Sequence, residues 1–191
     1  AVKRALLEKL HQEIVPQLEQ IVLSLPEQLL DFSEAETHLR KELLGVARGM
    51  LGLWTESAKL DVARPGCPQC KMPMRHRGIL PAKTCTTVGE VNFRRPGWRC
   101  PDCRVECYPH DESLKFHRHG VSWPLAKICT RMASQIPSFE EAAQTLEEDY
   151  HVHLAKETLR QVAEDAGTAV LEQEKSQQER IVQREEPLPE S

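Results

Sequence analysis

Two Cys-Pro-x-Cys elements constrain this chain more than any other feature. The first is Cys67-Pro68-Gln69-Cys70 and the second is Cys100-Pro101-Asp102-Cys103, with 29 residues between them. A Cys-x-x-Cys turn presents two sulfurs to one ion, and four thiolates form a common tetrahedral ligand set for zinc. The spacing therefore predicts a structural Zn²⁺ site made by all four cysteines, with no coordination position left open for catalysis.

Disulfide bridges are the alternative for the same cysteines. The odd total of seven cysteines and the paired short spacings favour a metal in a reducing compartment. Cys85 is expected to pack as a small apolar side chain, and Cys107 lies close enough to the second pair to substitute for a ligand. Four cysteines already satisfy one zinc ion, so the neighbouring histidines are not assigned as ligands. These histidines are His76, His110, His117 and His119.

Basic residues are concentrated in the middle of a chain whose net charge is −4. Residues 64–119 hold 11 Lys and Arg against 5 Asp and Glu, a balance of +6, whereas residues 1–63, 120–171 and 172–191 sum to −3, −4 and −3. Four zinc-bound thiolates would lower the central balance to about +4. A basic centre between acidic flanks is typical of a protein with a nucleic-acid partner.

Residues 1–63 are predicted to form a helical hairpin. Leu and Ile recur at steps of three and four over residues 2–25, where Pro16 should kink or split the helix. A fresh helix start is expected at residues 24–27, and a capping box at Ser33 opens a longer helix over residues 34–59. Its near-heptad apolar stripe leaves two readings open, a plain hairpin core or an oligomerising coiled coil. Its three glycines predict close packing of another helix on that face; they are Gly45, Gly49 and Gly52.

The region between the cysteine pairs, within residues 64–119, reads as β-structure. A short strand is expected over residues 74–80, and a hairpin over residues 83–95 with Gly89 at the turn. Two metal-binding turns joined by antiparallel strands are the layout of a zinc ribbon. Positively charged residues outnumber negatively charged ones in this region, and this excess predicts that its arginines contact phosphate groups. The alternative is that these arginines only keep one face of the strands in contact with water. The predicted contact residues are Arg75, Arg77, Arg94 and Arg95.

Residues 120–171 return to a helical period. Ser122 and Ser138 are predicted to cap two helices, and a third runs from about Lys156 to at least Ala169. Two helices of similar length with a brief connection match a helix-turn-helix. The acidic run Glu147-Glu148-Asp149 would repel phosphate, so a small helical bundle is the alternative. The exposed residues predicted to face DNA are Lys156, Arg160 and Gln161, since Arg and Gln can read guanine and adenine edges.

Several phrases, in this order, resemble the N-terminal half of bacterial insertion-sequence transposases of the ISKra type. The likeness covers roughly residues 34–170. Besides the two cysteine pairs, the phrases are Met74-Arg75-x-x-Gly78, Thr86-Thr87-Val88-Gly89-Glu90-Val91-x-Phe93-x-Arg95, Ser138-Phe139-Glu140-Glu141-Ala142-Ala143 and Glu157-Thr158-Leu159-Arg160. One departure is that Lys71 and Arg104 follow the cysteine pairs, where glycine is frequent because a left-handed residue is wanted. Another is Ala155, in place of a capping residue before the last helix.

The resemblance implies a zinc ribbon and a helix-turn-helix-like segment that recognise double-stranded DNA at element ends. Catalysis in such proteins belongs to an RNase H-like domain with carboxylate-bound metals, which is expected to follow residue 191. The chain itself carries no nucleotide loop and no Gly-x-Ser-x-Gly nucleophile motif, so we expect no enzyme within it. The alternatives are a zinc-stapled interaction module that oligomerises through the N-terminal helices, and a stand-alone zinc-ribbon transcriptional regulator.

The expected fold class is thus α+β and mainly α, with an acidic tail or linker over residues 172–191. No apolar run approaches the ~18 residues of a membrane span, so no membrane contact is expected. The expected location is the bacterial cytoplasm, in association with the nucleoid.

Overall fold

The computed structural model describes residues 2–25, 31–57 and 64–182 of the chain. It is mainly helical and contains one small three-stranded antiparallel sheet with strand order β1-β2-β3, which confirms the predicted α+β, mainly α class. The elements in chain order are α1 (Val2–Glu13), α2 (Val15–Ser24), α3 (Phe32–Ser57), β1 (Arg75–Thr86), β2 (Gly89–Arg99), β3 (Glu106–Cys107), α4 (Pro109–Leu114), α5 (Trp123–Gln135), α6 (Phe139–Tyr150) and α7 (Lys156–Val182).

Pro16 splits the first amphipathic segment, as the sequence predicts. α1 ends at Glu13, and α2 begins at Val15 with the proline in its first turn, where a missing N–H removes no intrahelical bond. Ile14 lies between the two helices and is buried in a small core that α3 completes. Residues 26–27, half of the helix start predicted after α2, lie outside the described residues.

α3 begins slightly earlier than its predicted capping box. Ser33 lies inside the first turn, and its backbone amide donates to a carboxylate oxygen of Asp31 at 3.2 Å. Asp31 is therefore the capping residue, because its side chain satisfies an amide that has no partner within the helix. α3 runs to Ser57, and the predicted end at residue 59 lies outside the described residues.

Two of the three glycines in α3 allow a close approach. A Cβ at Gly49 would lie 3.3 Å from the Cδ1 of Ile14, and one at Gly52 would lie 2.8 Å from the carbonyl oxygen of Asn92 in β2. Gly49 thus allows the close packing against the N-terminal helices that the sequence predicts. Gly52 allows α3 to pack directly against the backbone of β2. Arg48 adds a hydrogen bond of 3.0 Å to the carbonyl of Val88 in the hairpin turn.

β1 and β2 form one continuous hairpin in place of the predicted short strand and shorter hairpin. The register runs from Arg75 opposite Arg99 to Thr86 opposite Gly89, with an irregularity between residues 76 and 78. Gly89 has a φ of +106° at the turn, which explains the glycine there. The hairpin therefore spans the distance between the two cysteine pairs, and β3 adds a short third strand against β2.

The C-terminal helices enclose the largest core. Ser122 accepts a hydrogen bond from the amide of Leu125, and Ser138 accepts one from the amide of Glu140, so both predicted caps are confirmed. The backbone of Cys85 in β1 bonds to Gly120 and Ser122, which fixes the sheet to the start of α5. The fully buried members of this core include Val121, Leu125, Cys129, Leu146, Val152, Leu159 and Val162.

α7 runs from Lys156 to Val182, in agreement with the predicted helix from about Lys156 to at least Ala169. Its first turns pack on α5 and α6, whereas residues 167–180 are exposed. Residues 183–191 of the predicted tail lie outside the described residues. Within the described ranges, none of the helices combines the length and the apolar character that crossing a bilayer requires.

Candidate functional site

Four cysteine sulfurs meet at one end of the hairpin and form what we call the cysteine cluster, Cys67, Cys70, Cys100 and Cys103. The Sγ atoms of Cys67 and Cys103 are 3.2 Å apart, and those of Cys70 and Cys100 are 3.4 Å apart. All four sulfurs lie within 4.8 Å of one another. A tetrahedral site with metal–sulfur bonds of about 2.3 Å separates its sulfurs by about 3.8 Å. The cluster can therefore hold a metal ion.

Each cysteine pair sits on a turn of the same shape. Cys67 donates its amide to the carbonyl of Met72, and Cys100 donates its amide to the carbonyl of Val105, both at 2.9 Å. The residues after the two pairs, Lys71 and Arg104, have φ values of 61° and 60°. These are the left-handed positions anticipated from the sequence, and a non-glycine residue there costs roughly 1–2 kcal/mol. Both turns contain this strained residue, and both direct their cysteine sulfurs toward the same point.

The turns stabilise a thiolate at the first cysteine of each pair. Backbone hydrogen bonding from Cys70 is the main cause that lowers the pKa of Cys67 to about 6, against the opposing effect of burial. The amide of Cys103 similarly lowers the pKa of Cys100. The amide of Val105 lowers the pKa of Cys103, but the thiol of Cys67 and burial outweigh it and raise that pKa to about 12. A cation at the centre would favour ionisation of all four thiols together.

The other cysteines stay outside the cluster. Cys107 is half-buried beside it, packs against the small core that contains Met74, and is the cross-strand partner of Trp98. Cys85 packs against the C-terminal core, as expected for a small apolar side chain. All seven cysteines are free thiols in the structure, and sulfurs more than 3 Å apart are not disulfide-bonded.

The predicted DNA-contacting arginines of the hairpin divide between its two sides. Arg75 is the cross-strand partner of Arg99, whose partner in β3 is Glu106. Arg77 forms an ion pair with Glu106, so Arg77 and Arg99 lie near the same carboxylate, and Arg75 lies beside Arg99 on the neighbouring strand. We call Arg75, Arg77 and Arg99 the arginine group. It adjoins the cysteine cluster, because Cys100 follows Arg99 directly.

Arg94 and Arg95 have different surroundings because side chains alternate along β2. Phe93 is buried and Arg94 is exposed, whereas Arg95 returns to the covered side. There Arg95 pairs with Asp111, and its guanidinium carbon lies 4.0 Å from the ring centroid of Tyr108. A phosphate contact by Arg95 would require these interactions to break, whereas Arg94 makes no ion pair among the described residues.

The predicted DNA-facing residues of α7 are engaged with carboxylates. Lys156 forms an ion pair with Glu140, and Arg160 pairs with Glu157 and Glu164. Gln161 donates to Glu157 at 3.1 Å. Such exposed pairs contribute less than about 1 kcal/mol each, so a phosphate can displace them at little cost. Whether these three residues contact DNA stays a prediction.

A second set of metal-ligating side chains was missed from the sequence. His117 and His119, two of the histidines not assigned as ligands, lie beside Asp165 of α7, with donor atoms within 4.8 Å of one another. The His-x-His spacing was visible in the chain. Its third member was not, because Asp165 is 46 residues away from His119 and joins it only when α7 packs on α5.

The chain has no match in comparisons with protein-family models, curated proteins and solved structures. What can be said of its function therefore depends on its own residues and their geometry.

Proposed function

We propose that this chain is the DNA-binding, non-catalytic portion of a transposase similar to the ISKra type. In this proposal the cysteine cluster binds a structural Zn²⁺ ion, so that residues 64–119 act as a zinc ribbon. A helix-turn-helix made by the C-terminal helices assists in binding double-stranded DNA at element ends. The observation that carries the proposal is the position of the arginine group, next to four cysteines that can hold one metal ion.

The arginine group supports phosphate binding through its charge balance. Arg77 and Arg99 share a single carboxylate, Glu106, whose pKa is lowered by the hydroxyl of Tyr108 and then by the charges of these two arginines. Arg75 adds a third guanidinium as the cross-strand neighbour of Arg99. Arg75 is exposed and makes no ion pair within residues 2–25, 31–57 and 64–182. A locally positive surface with a free guanidinium favours phosphate oxygens, because Arg offers a planar fork of donors to them.

The helical part supports a second contact with the duplex. α6 ends at Tyr150, five residues separate it from α7, and Lys156, Arg160 and Gln161 lie on the first turns of α7. The carboxylates at the end of α6 repel phosphate groups. The first turns of α7 are therefore better suited to contact base edges than the DNA backbone. The transposase assignment itself depends on the ordered sequence phrases and not on these contacts.

Duplex binding that weakens steeply with salt is the expected result for the zinc-loaded chain. Phosphate contacts release counterions, so the logarithm of the association constant should fall linearly with the logarithm of salt concentration. A fluorescence-anisotropy titration of a random duplex at several salt concentrations measures this slope. Chelation of zinc should weaken binding, and reloading should restore it. No binding at low salt, or binding that salt does not change, contradicts the proposal.

An interaction module is the second candidate, and the exposed apolar side of α3 favours it. Leu43, Met50 and Trp54 are 51%, 43% and 52% exposed at successive spacings of seven and four residues. Exposed apolar residues at this spacing match one face of a coiled coil. A second copy of the chain would cover that face by pairing α3 with its counterpart.

Self-association should then depend on two of these residues. Replacing Leu43 and Met50 with Asp places two charges on the apolar face, so the variant should be monomeric at concentrations where the wild type associates. Sedimentation velocity over a concentration series measures the change. Lys41→Asp, on another face of α3, is the matched control and should behave as the wild type. A wild type that stays monomeric throughout rules out this candidate.

A further inference from the structure

Two histidines and an aspartate meet where residues 117–119 lie against α7. The Nε2 atom of His119 is 2.9 Å from the Oδ2 atom of Asp165, and the Nε2 atom of His117 is 3.9 Å from the same oxygen. All three side chains are largely covered, with exposures of 8% for His117, 20% for His119 and 19% for Asp165. We call these three residues the histidine–aspartate triad.

The triad has the donors of a metal site that is chemically unlike the cysteine cluster. Zinc binds imidazole nitrogen and carboxylate oxygen at about 2.0–2.2 Å, which places the ligand atoms of a tetrahedral site about 3.3 Å apart. The separations of 2.9 and 3.9 Å bracket that value. We infer that His117, His119 and Asp165 bind a second divalent transition-metal ion, and zinc is an ion whose ligand geometry these distances fit.

The surroundings hold the triad in place. The ring of Trp123 meets the ring of His117 edge to face, with centroids 5.0 Å apart, and so limits the rotation of that histidine. Arg118 bonds both oxygens of Asp165. When an ion takes Oδ2, Arg118 keeps its bond to Oδ1 and orients the carboxylate, as residues around metal ligands do.

Binding an ion displaces several local contacts. Arg118 Nε must give up its bonds to Asp165 Oδ2 and His119 Nε2, and the direct contact between His119 Nε2 and Asp165 Oδ2 is replaced by bonds to the ion. One further contact is lost at His117. The backbone amide of His119 lies 3.4 Å from the Nδ1 atom of His117, close to the limit for a hydrogen bond. Metal binding at Nε2 leaves the ring proton on Nδ1, so this contact must be given up. The contact is long and therefore weak, and a metal–nitrogen bond exceeds it in strength.

The triad leaves a coordination position open toward a groove. The groove has a volume of about 780 Å³ and lies between α5 and α7, and His117 and Asp165 form part of its wall. Three protein ligands in a tetrahedral site leave a fourth position for water or a small anion, whereas the cysteine cluster is closed. Lys127, Arg118 and Glu172 also line the groove, so charges of both signs surround that position.

Metal stoichiometry tests the second site without reference to DNA binding. Wild-type protein saturated with zinc and freed of excess ion should contain two zinc ions per chain by elemental analysis. His119→Ala and Asp165→Asn should each contain one. His153→Ala is the matched control, because His153 is an exposed histidine that also faces a carboxylate, Glu147, and it should keep two.

Cobalt substitution assigns each ion to its site. Cobalt bound by thiolates gives a sulfur-to-metal charge-transfer band, while cobalt bound by nitrogen and oxygen gives only weaker ligand-field bands. His119→Ala should keep the charge-transfer band, which also reports that the variant is folded, and should lose the second set of bands. A wild type whose cobalt spectrum at saturation comes from thiolate ligands alone overturns the inference. A His119→Ala variant that retains the nitrogen–oxygen bands at full occupancy also overturns it.

Discussion

Cys67→Ser should abolish stoichiometric metal binding by the cysteine cluster and unfold the adjoining end of the sheet. The sulfur of Cys67 is buried and accepts backbone hydrogen bonds that lower its pKa, and serine offers no comparable anionic ligand. Structural zinc binding contributes about 10–16 kcal/mol of apparent free energy in small zinc domains. We therefore expect this effect to exceed that of any single substitution in the apolar core.

The loss is measured from the thiolate–cobalt charge-transfer band, to which a site with only nitrogen and oxygen ligands does not contribute. Cys107→Ser is the matched control. Cys107 packs beside the cluster without being among its four sulfurs, so its replacement should leave the band intact. Full metal content in Cys67→Ser would show that the four cysteines do not share an ion. Loss of the band in Cys107→Ser would show that the ligand set is different.

Replacing Arg75 and Arg77 together with alanine should lower duplex affinity roughly a hundredfold at low salt. A hydrogen bond to a charged group contributes about 1.5 kcal/mol or more, which corresponds to about tenfold for each arginine. Each lost phosphate contact should also reduce the salt slope by about 1. Both residues lie in the arginine group beside the cysteine cluster, so the two effects should appear together.

Two controls separate a local contact from a general effect of charge. Lys9→Ala with Lys41→Ala removes the same charge from exposed positions on α1 and α3, and should change affinity little. Arg94→Ala removes an exposed arginine from the opposite side of the hairpin, and should also have a small effect if one side binds the duplex. An equal loss in the two double variants, with about half that loss in free energy for Arg94→Ala, would mean that net charge, and not the arginine group, controls binding.

The parts of the fold that the sequence predicted are those specified by local patterns. Pro16 ended a helix, Ser122 and Ser138 capped two others, and Gly89 marked the hairpin turn, because each acts through its own backbone or a neighbour two or three residues away. The left-handed residues after the cysteine pairs were anticipated for the same reason. The proximity of the four sulfurs also followed from their spacing.

The parts that were missed depend on contacts between distant residues. β3 has two residues and exists only because it pairs with β2. The ion pair between Arg95 and Asp111 depends on the position of α4, which the sequence pattern did not predict, while phosphate contact by Arg95 stays a prediction. Asp165 reaches the histidines only through helix packing. The packing of distant elements therefore determines which charged side chains are free to bind a ligand. The spacing of residues along the sequence does not determine this.

The N-terminal and C-terminal parts of α7 are expected to differ in stability, although they form one continuous helix. Its 27 residues extend over about 40 Å, yet only the first three turns contribute to the core. Over residues 167–180, which are exposed, an isolated helix of this length is marginal in water. Amide hydrogen exchange should therefore be slow near Leu159 and rise sharply beyond Gly167. The outer turns can melt and re-form without disturbing the core, so a partner that orders them would gain a rigid arm already joined to the fold.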